Sequence, residues 1–144
     1  MKLLLIYFLS ALLLFAQEES PQHNKVLIIE KILGECSITQ EVKIWSDNQE
    51  ILLEVKEHNN YKVVQSCEDA TIIILENKDN LKKACSNKHI FVLNYELLSD
   101  IPQSFGALFW KKGRPNIVII EPRIKKQSIK TSKNLEPYLE KKIW

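Results

Sequence analysis

Apolar positions along the chain follow two different periods, and their alternation predicts an α/β fold. Asn24 can cap a helix over residues 25–33, where apolar side chains recur at helical spacing before Gly34. Ser46 or Asp47 can cap a second helix, with Ile51, Leu52 and Val55 as its buried face.

Residues 41–45 and 61–65 are expected to form the first two strands. The apolar runs at 71–75 and 89–93 indicate two buried strands, and the unbroken run at 71–75 is typical of a strand covered on both faces. The order of the elements predicts a sheet with helices on both faces.

The last third of the chain has a different pattern. Two apolar runs, 105–111 and 116–121, flank the segment Lys112–Pro115, which contains a glycine. Two strands around a loop of about four residues are typical of a β-hairpin. Pro122 should end the second strand, because proline cannot donate a hydrogen bond to the ladder.

Two further helices are predicted from their caps and apolar stripes. Asn77 or Asp79 can cap a short helix that runs to Ala84. A C-terminal helix is expected to begin near Asn134, with Pro137 in its first turn. Its apolar stripe has a spacing of four and consists of Leu135, Leu139 and Ile143.

The first sixteen residues have the pattern of a secretory signal peptide. Lys2 precedes the apolar run Leu3–Phe15, which is too short for a comfortable membrane span. We expect cleavage after Ala16, and an uncleaved N-terminal anchor is the alternative. Residues 17–24 then form a polar lead-in, and residues 25–144 form one domain in the periplasm.

Charge and compartment together narrow the class of partner. The formal net charge is +2 at pH 7, so no strong field steers acidic partners to the protein. A secreted chain also does not meet cytosolic nucleotides or nucleic acid. We therefore predict no nucleic-acid partner.

The predicted compartment makes the three cysteines candidates for a disulfide. Cys67 lies before the strand at 71–75 and Cys85 before the strand at 89–93, so both belong at one edge of the sheet. A Cys67–Cys85 bridge would stabilise the fold by about 3 kcal/mol. Cys36 could lie at the same edge, so a pair that involves Cys36 and the absence of any bridge remain alternatives. The cysteine spacing does not favour zinc.

The sequence contains no motif typical of catalysis, of a cofactor or of a metal site. The glycine patterns of nucleophile elbows, dinucleotide sites and P-loops are absent, and spacing does not bring His23, His58 and His89 together. We therefore predict a protein that is not an enzyme and has no cofactor or metal site. The alternative is a small-molecule-binding or hydrolytic domain with its site at the carboxyl ends of the strands. The polar segments there are 46–48, 76–79 and 94–96.

The predicted hairpin carries a cluster that could bind another protein. Lys111, Lys112 and Arg114 lie at its loop, and Trp110 lies at its base. Tryptophan and arginine are favoured anchors of protein contacts, so we predict a partner-binding site of Trp110, Lys111 and Arg114. The alternative is a tight solvated turn with one core aromatic side chain.

In the order of its elements, nearly the whole mature chain resembles the YfiR-like family of periplasmic regulators, and specific residues match mainly in the last forty. The matching residues are Gly106–Phe109, the Gly113-Arg114 turn, the strand Ile117–Ile120, and Ile129 with Ser132 before Leu135. Cys67–Ala70, before the strand at 71–75, is similar to the cysteine that precedes the central strand of that family.

This resemblance implies both a fold and a function. The fold would be a Rossmann-like, mostly parallel sheet flanked by helices, with a C-terminal β-hairpin and a helical tail. The function would be a regulatory role in signal transduction, in which the protein docks on the periplasmic part of a membrane signalling protein of the diguanylate-cyclase type. A homodimer is left open.

Overall fold

The structure is a computed structural model and describes residues 21–144. The predicted signal peptide and residues 17–20 of the predicted lead-in lie outside the described residues. The helices are α1 (Pro21–Gly34), α2 (Gln49–His58), α3 (Leu97–Asp100) and α4 (Glu121–Lys126). The strands are β1 (Cys36–Ser37), β2 (Lys43–Ser46), β3 (Lys62–Val63), β4 (Ile72–Leu75), β5 (His89–Val92), β6 (Ser104–Lys111), β7 (Arg114–Ile120), β8 (Lys130–Thr131) and β9 (Leu139–Glu140).

Seven of these strands form one mostly parallel sheet in the order β3-β2-β4-β5-β6-β7-β9. Strands β3, β2, β4, β5 and β6 run parallel, whereas β7 is antiparallel to β6 and parallel to β9. β1 and β8 form a separate antiparallel pair. Helices flank the seven-stranded sheet, which confirms the predicted α/β class.

The two faces of the sheet bury two separate clusters of apolar side chains. In β4 all four residues are buried, because the strand lies inside the sheet and alternate side chains point to opposite faces. Ile72 and Ile74 pack with α1 and α2, and Ile73 and Leu75 pack on the opposite face with α3 and the cysteines. The buried partners from α1 and α2 include Val26, Ile29, Ile51 and Val55.

The first two helices begin at residues other than the predicted ones. α1 begins at Pro21, so Asn24 lies inside the helix and not at its cap. Proline is tolerated in a first helical turn because the N–H groups there have no partner within the helix. α2 is capped by Asn48, whose side-chain oxygen accepts hydrogen bonds from the backbone N–H groups of Glu50 and Ile51.

The prediction of a helix that runs to Ala84 is wrong. This segment forms two 3-10 turns, Lys78–Asn80 and Lys83–Cys85. Residues 76–80 are all exposed, so the segment has no apolar stripe that a longer helix could bury.

The prediction of a regular C-terminal helix is also wrong. Lys133–Tyr138 forms a 3-10 helix, and Leu139–Glu140 then pairs in parallel with Ile119 and Ile120 of β7. Pro137 cannot donate a backbone hydrogen bond inside a helix, and the edge of β7 offers the following residues a ladder instead.

The connection between β6 and β7 is shorter than predicted. The strands continue to Lys111 and Arg114, so Lys112 and Gly113 alone connect them. Both connecting residues have positive φ values, 52° and 74°. This backbone matches the twist of an antiparallel pair, which explains why two residues suffice.

Candidate functional site

The predicted Cys67–Cys85 disulfide is present at the edge where β4 and β5 begin. The Cα atoms lie 6.0 Å apart, and both cysteines are buried. Cys36 is a free, half-buried thiol, so the alternative pairing is wrong. Burial raises the pKa of Cys36 to about 11, and the nearby Glu35 carboxylate adds to this shift. The thiol is therefore protonated at neutral pH.

Cys67, Glu68 and Cys85 bring three metal-ligating atoms within 4.8 Å of one another. The two sulfur atoms are bonded to each other, however, and a disulfide offers no thiolate to a metal ion. The geometry therefore favours a covalent cross-link between the segments before β4 and β5.

The carboxyl ends of β2 and β4 hold a network of polar side chains. The strand order reverses there, with β3 on one side of β2 and β4 on the other, which is where α/β sheets commonly bind ligands. The Asp47 carboxylate accepts hydrogen bonds from the backbone N–H groups of Glu76 and Asn77, at 2.8 and 2.9 Å. Asn48 donates a 2.8 Å hydrogen bond to the Glu76 carboxylate. These groups tie the two loops together.

Two of the histidines connect elements of the fold. The Nδ1 atom of His58 in α2 lies 2.9 Å from the carboxylate of Glu30 in α1. The Nδ1 atom of His89 at the start of β5 lies 2.9 Å from the side-chain oxygen of Gln127, just after α4. The structure therefore places these two histidines at separate packing contacts rather than in a shared site.

The predicted partner-binding residues lie on two faces of the β6–β7 pair. Trp110 lies opposite Pro115 and Lys111 lies opposite Arg114, and directly opposed residues of an antiparallel pair share a face. Successive residues alternate between faces, so Trp110 and Lys111 point to opposite sides. The alternation of side chains between faces can be read from the sequence, but the predicted site combined residues of both faces.

Trp110 lies on the side of the sheet that α1 covers. Its side chain is 39% exposed, and the Nζ atom of Lys25 in α1 lies 5.8 Å from the centre of its ring. An ammonium group at this distance is attracted to the face of the indole. The contact holds the half-exposed ring against the first helix.

The basic cluster lies on the opposite side. Lys111, Lys112, Arg114 and Asn116 line a shallow depression of about 360 Å³, and all three cations are exposed. None of these cations has an ion-pair partner within residues 21–144. The end of the β6–β7 pair that carries Lys112 therefore presents uncompensated positive charge to solvent.

A larger groove lies beside Trp110, between α1, β7 and the 3-10 helix Lys133–Tyr138. Its volume is about 530 Å³. The apolar lining consists of Ile28, Ile32, Pro115, Ile117, Leu135 and Tyr138. The sequence did not reveal this groove, because the C-terminal segment that forms one wall was predicted as a regular helix.

Lys31 of α1 and Glu35, the residue after α1, supply the charges that line this groove. The Glu35 carboxylate accepts hydrogen bonds from the side chains of Ser132 and Asn134. These bonds hold the pKa of Glu35 below its ordinary value, with a smaller contribution from Lys31. Glu35 is thus occupied in fixing the C-terminal segment, whereas Lys31 has no ion pair within residues 21–144.

In the part of the chain that the structure describes, the helices are too short or too polar to cross a bilayer. Comparison with known protein families and with curated proteins gives no match to this sequence.

Proposed function

We propose that this protein is a non-enzymatic regulatory module of the periplasm that docks on the periplasmic part of an inner-membrane signalling protein of the diguanylate-cyclase type. In this proposal the fold is Rossmann-like, with β6 and β7 as a C-terminal hairpin before the tail. The observation that carries the proposal is the placement of Trp110. Its indole is 39% exposed and lies near the end of β6, with an apolar groove on the same face of the β6–β7 pair. The exposed cations Lys111 and Arg114 lie on the other face of this pair.

The chemistry of this region supports a protein partner. Protein–protein contacts draw much of their free energy from a few aromatic and arginine side chains that become buried on binding. Trp110 has further indole surface to bury, and Arg114 offers a planar fork of donors without an internal ion-pair partner in residues 21–144.

The disulfide supports the proposed compartment. Cys67 and Cys85 form a buried bridge, and such bridges persist mainly where the surroundings are oxidising. The sequence adds the predicted secretory signal at residues 1–16. Both observations are compatible with folding outside the cytoplasm.

The polar edge supports a role other than catalysis. Asp47, Asn48 and Glu76 bond to one another and to neighbouring backbone groups at the point where a ligand site would be expected. A substrate would have to displace these bonds, whereas the exposed 39% of the Trp110 side chain can contact a partner directly.

The test is capture of a membrane protein by the tagged protein from detergent-solubilised membranes. Trp110→Ala and Arg114→Glu should each reduce recovery of one inner-membrane signalling protein, while the thermal midpoint stays near that of the wild type. Leu53→Ala and Lys62→Glu are matched controls, because both residues are exposed and lie on other elements. Equal recovery by all four variants, or loss that follows unfolding, would contradict the proposal.

A further inference from the structure

We propose that the end of the β6–β7 pair, residues 111–114, binds the anionic headgroups of a phospholipid membrane surface. This inference rests on the proposed function for the membrane that the protein meets. It adds a contact with lipid that is separate from the contact with the signalling protein.

The end of the β6–β7 pair extends beyond the neighbouring strands. β5 pairs with β6 up to Ala107, and β9 pairs with β7 only at Ile119 and Ile120. Within residues 21–144, residues 108–118 therefore have no strand beside them except each other. Four residues of β6 past Ala107 extend about 13 Å, at about 3.4 Å per residue. A flat surface can thus approach residues 111–114 without contacting β5.

The positive charge at this end is not balanced by neighbouring carboxylates. Residues 104–120 contain no Asp or Glu, and none of the three cations at this end has an ion-pair partner within residues 21–144. On the Trp110 side, the Glu76 carboxylate lies 3.9 Å from Lys25, so that lysine already balances it. The depression at this end is lined by three cations and one amide, namely Lys111, Lys112, Arg114 and Asn116.

The chemistry of this depression favours lipid headgroups over an acidic protein. Protein contacts draw most of their free energy from side chains that pack into apolar pockets, whereas all four side chains that line this depression are polar. The guanidinium of Arg114 has the planar fork that matches a phosphate group, and lysine binds phosphate as a point charge. Each lysine or arginine near an anionic membrane strengthens binding by about fivefold.

Exposed indole rings flank this end on both faces of the β6–β7 pair. Trp110 is 39% exposed on the face that α1 covers. On the other face, the Phe109 ring lies 5.2 Å from the ring of Tyr95, whose hydroxyl donates a 3.1 Å hydrogen bond to the carbonyl of Trp144. Trp144 is 79% exposed. Tryptophan is enriched at membrane–water interfaces, and a membrane at the end of the pair can contact both indoles, whereas a protein on one face covers only one.

Cosedimentation with lipid vesicles tests this inference on the full chain, without any partner protein. One set of vesicles contains phosphatidylcholine alone, and the other contains equal parts of phosphatidylcholine and phosphatidylglycerol. We expect binding to the anionic vesicles to be at least about tenfold tighter at about 0.1 M salt. Most of this difference should disappear at about 0.5 M salt, because salt screens exposed charges.

Neutral variants locate the contact. The combined substitution Lys111→Gln, Lys112→Gln and Arg114→Gln should weaken binding to the anionic vesicles at least about tenfold. Lys112→Gln alone should weaken binding by about fivefold. Both variants should keep the thermal midpoint of the wild type, because these side chains are exposed.

The matched control removes the same charge from exposed positions on other elements. It combines Lys62→Gln, Lys83→Gln and Lys126→Gln. Its binding to the anionic vesicles should stay within about threefold of the wild type, because these positions lie away from residues 111–114. Residues 1–16 are the same in every variant, so any binding by them does not change these ratios.

Three results would overturn the lipid assignment. The first is equal binding to both kinds of vesicle, or equal loss in the two triple variants. The second is binding of poly-L-glutamate that depends on residues 111–114 without binding of anionic vesicles, which would indicate an acidic protein. The third is displacement from the vesicles by inorganic phosphate but not by chloride of the same ionic strength, which would indicate a site for a free anion.

The docking function is tested separately, because its capture experiment uses detergent and contains no bilayer. Failure to bind anionic vesicles, together with capture that depends on Trp110, would overturn the lipid contact and retain the docking function. Binding of anionic vesicles through residues 111–114 without capture of a signalling protein would contradict the docking function alone.

Discussion

Lys25 of α1 contacts two distant parts of the fold. Its Nζ atom lies 5.8 Å from the centre of the Trp110 ring and 3.9 Å from the Glu76 carboxylate. One side chain therefore joins the exposed end of β6 to the polar network at the carboxyl end of β4. The contact places the Trp110 ring on the α1 side of the β6–β7 pair, next to the groove.

Removal of the disulfide should lower stability without removing the fold. The bridge joins residues 18 apart, and in the chain-entropy model a loop of that size contributes about 3 kcal/mol. Cys67→Ala combined with Cys85→Ala should lower the thermal midpoint by about 9–18 °C, since about 1 kcal/mol shifts a domain of this size by about 3–6 °C. Cys36→Ala is the matched control. An unchanged midpoint, or free thiols at both positions by mass spectrometry of the unreduced protein, would contradict this assignment.

Gly106→Ala should destabilise the sheet where β6 meets β7 and β5. A Cβ atom there would lie 2.8 Å from the Ile119 side chain and 2.9 Å from the Val118 carbonyl oxygen. Overpacking of this kind costs about 1–3 kcal/mol, which urea unfolding would measure. At Gly34 the added Cβ finds its nearest neighbour 3.6 Å away, at Tyr61, so Gly34→Ala should change the free energy of unfolding by less than about 1 kcal/mol. Equal effects at both sites would contradict the packing argument.

Arg123 should be the most important charged side chain for stability in the segment after β7. Its guanidinium donates hydrogen bonds to the backbone carbonyls of Leu98 in α3 and Ser104 at the start of β6, at 2.8 and 2.9 Å, and so fastens α4 to both elements. Burial lowers the pKa of Arg123, yet the group stays charged at neutral pH. Arg123→Met should lower the free energy of unfolding by about 2–3 kcal/mol, because these carbonyls lose a charged donor.

Lys125→Met is the control for this variant. Lys125 makes an exposed ion pair with Glu121 four residues away, and such pairs contribute little to stability because solvent screens them. Denaturant unfolding of both variants would show whether the hydrogen bonds of Arg123 or the net charge of α4 contribute to the free energy of unfolding. Similar losses would mean that the hydrogen bonds of Arg123 have no special role.

Cys36 should resist alkylation in the folded protein. Its pKa of about 11 leaves far less reactive thiolate near neutral pH than the ordinary value of 9.0 would. The rate of modification by iodoacetamide, followed by mass spectrometry, should rise with pH up to about 11 in the native protein. In denaturant the rate of modification should level off near pH 9. Rapid modification of the native protein at neutral pH would contradict a buried, protonated thiol.

The same shift predicts how stability depends on pH. The folded-state pKa of Cys36 lies above the unfolded value, so its contribution is fully present below pH 9 and declines as pH rises toward 11. The difference in free energy of unfolding between the wild type and Cys36→Ala should follow that decline.

Strong local patterns allowed the central sheet and the disulfide to be predicted from the sequence. The run Ile72–Leu75 is apolar at every position, which occurs where a strand is covered on both faces. Parallel strands then place Cys67 and Cys85 at one edge, and that geometric argument predicted the bridge correctly.

The C-terminal wall of the groove could not be predicted in the same way. Leu135, Leu139 and Ile143 have helical spacing, yet Leu139 pairs with β7, because an open strand edge outweighs local periodicity. The short β1–β8 pair has no signal of its own, since each strand is two residues long. Asn134, Leu135 and Tyr138 of the C-terminal segment line the groove, so the groove becomes visible only in three dimensions.

The most direct test of the docking function is the affinity of Trp110→Ala for the periplasmic part of the captured signalling protein. An aromatic anchor at the centre of a contact contributes about 2 kcal/mol or more, so titration should show binding at least about 30-fold weaker than that of the wild type. Leu53→Ala, which truncates another exposed apolar side chain, should bind within about twofold of the wild type. Wild-type affinity of a folded Trp110→Ala protein would contradict the assignment of Trp110 as the docking anchor.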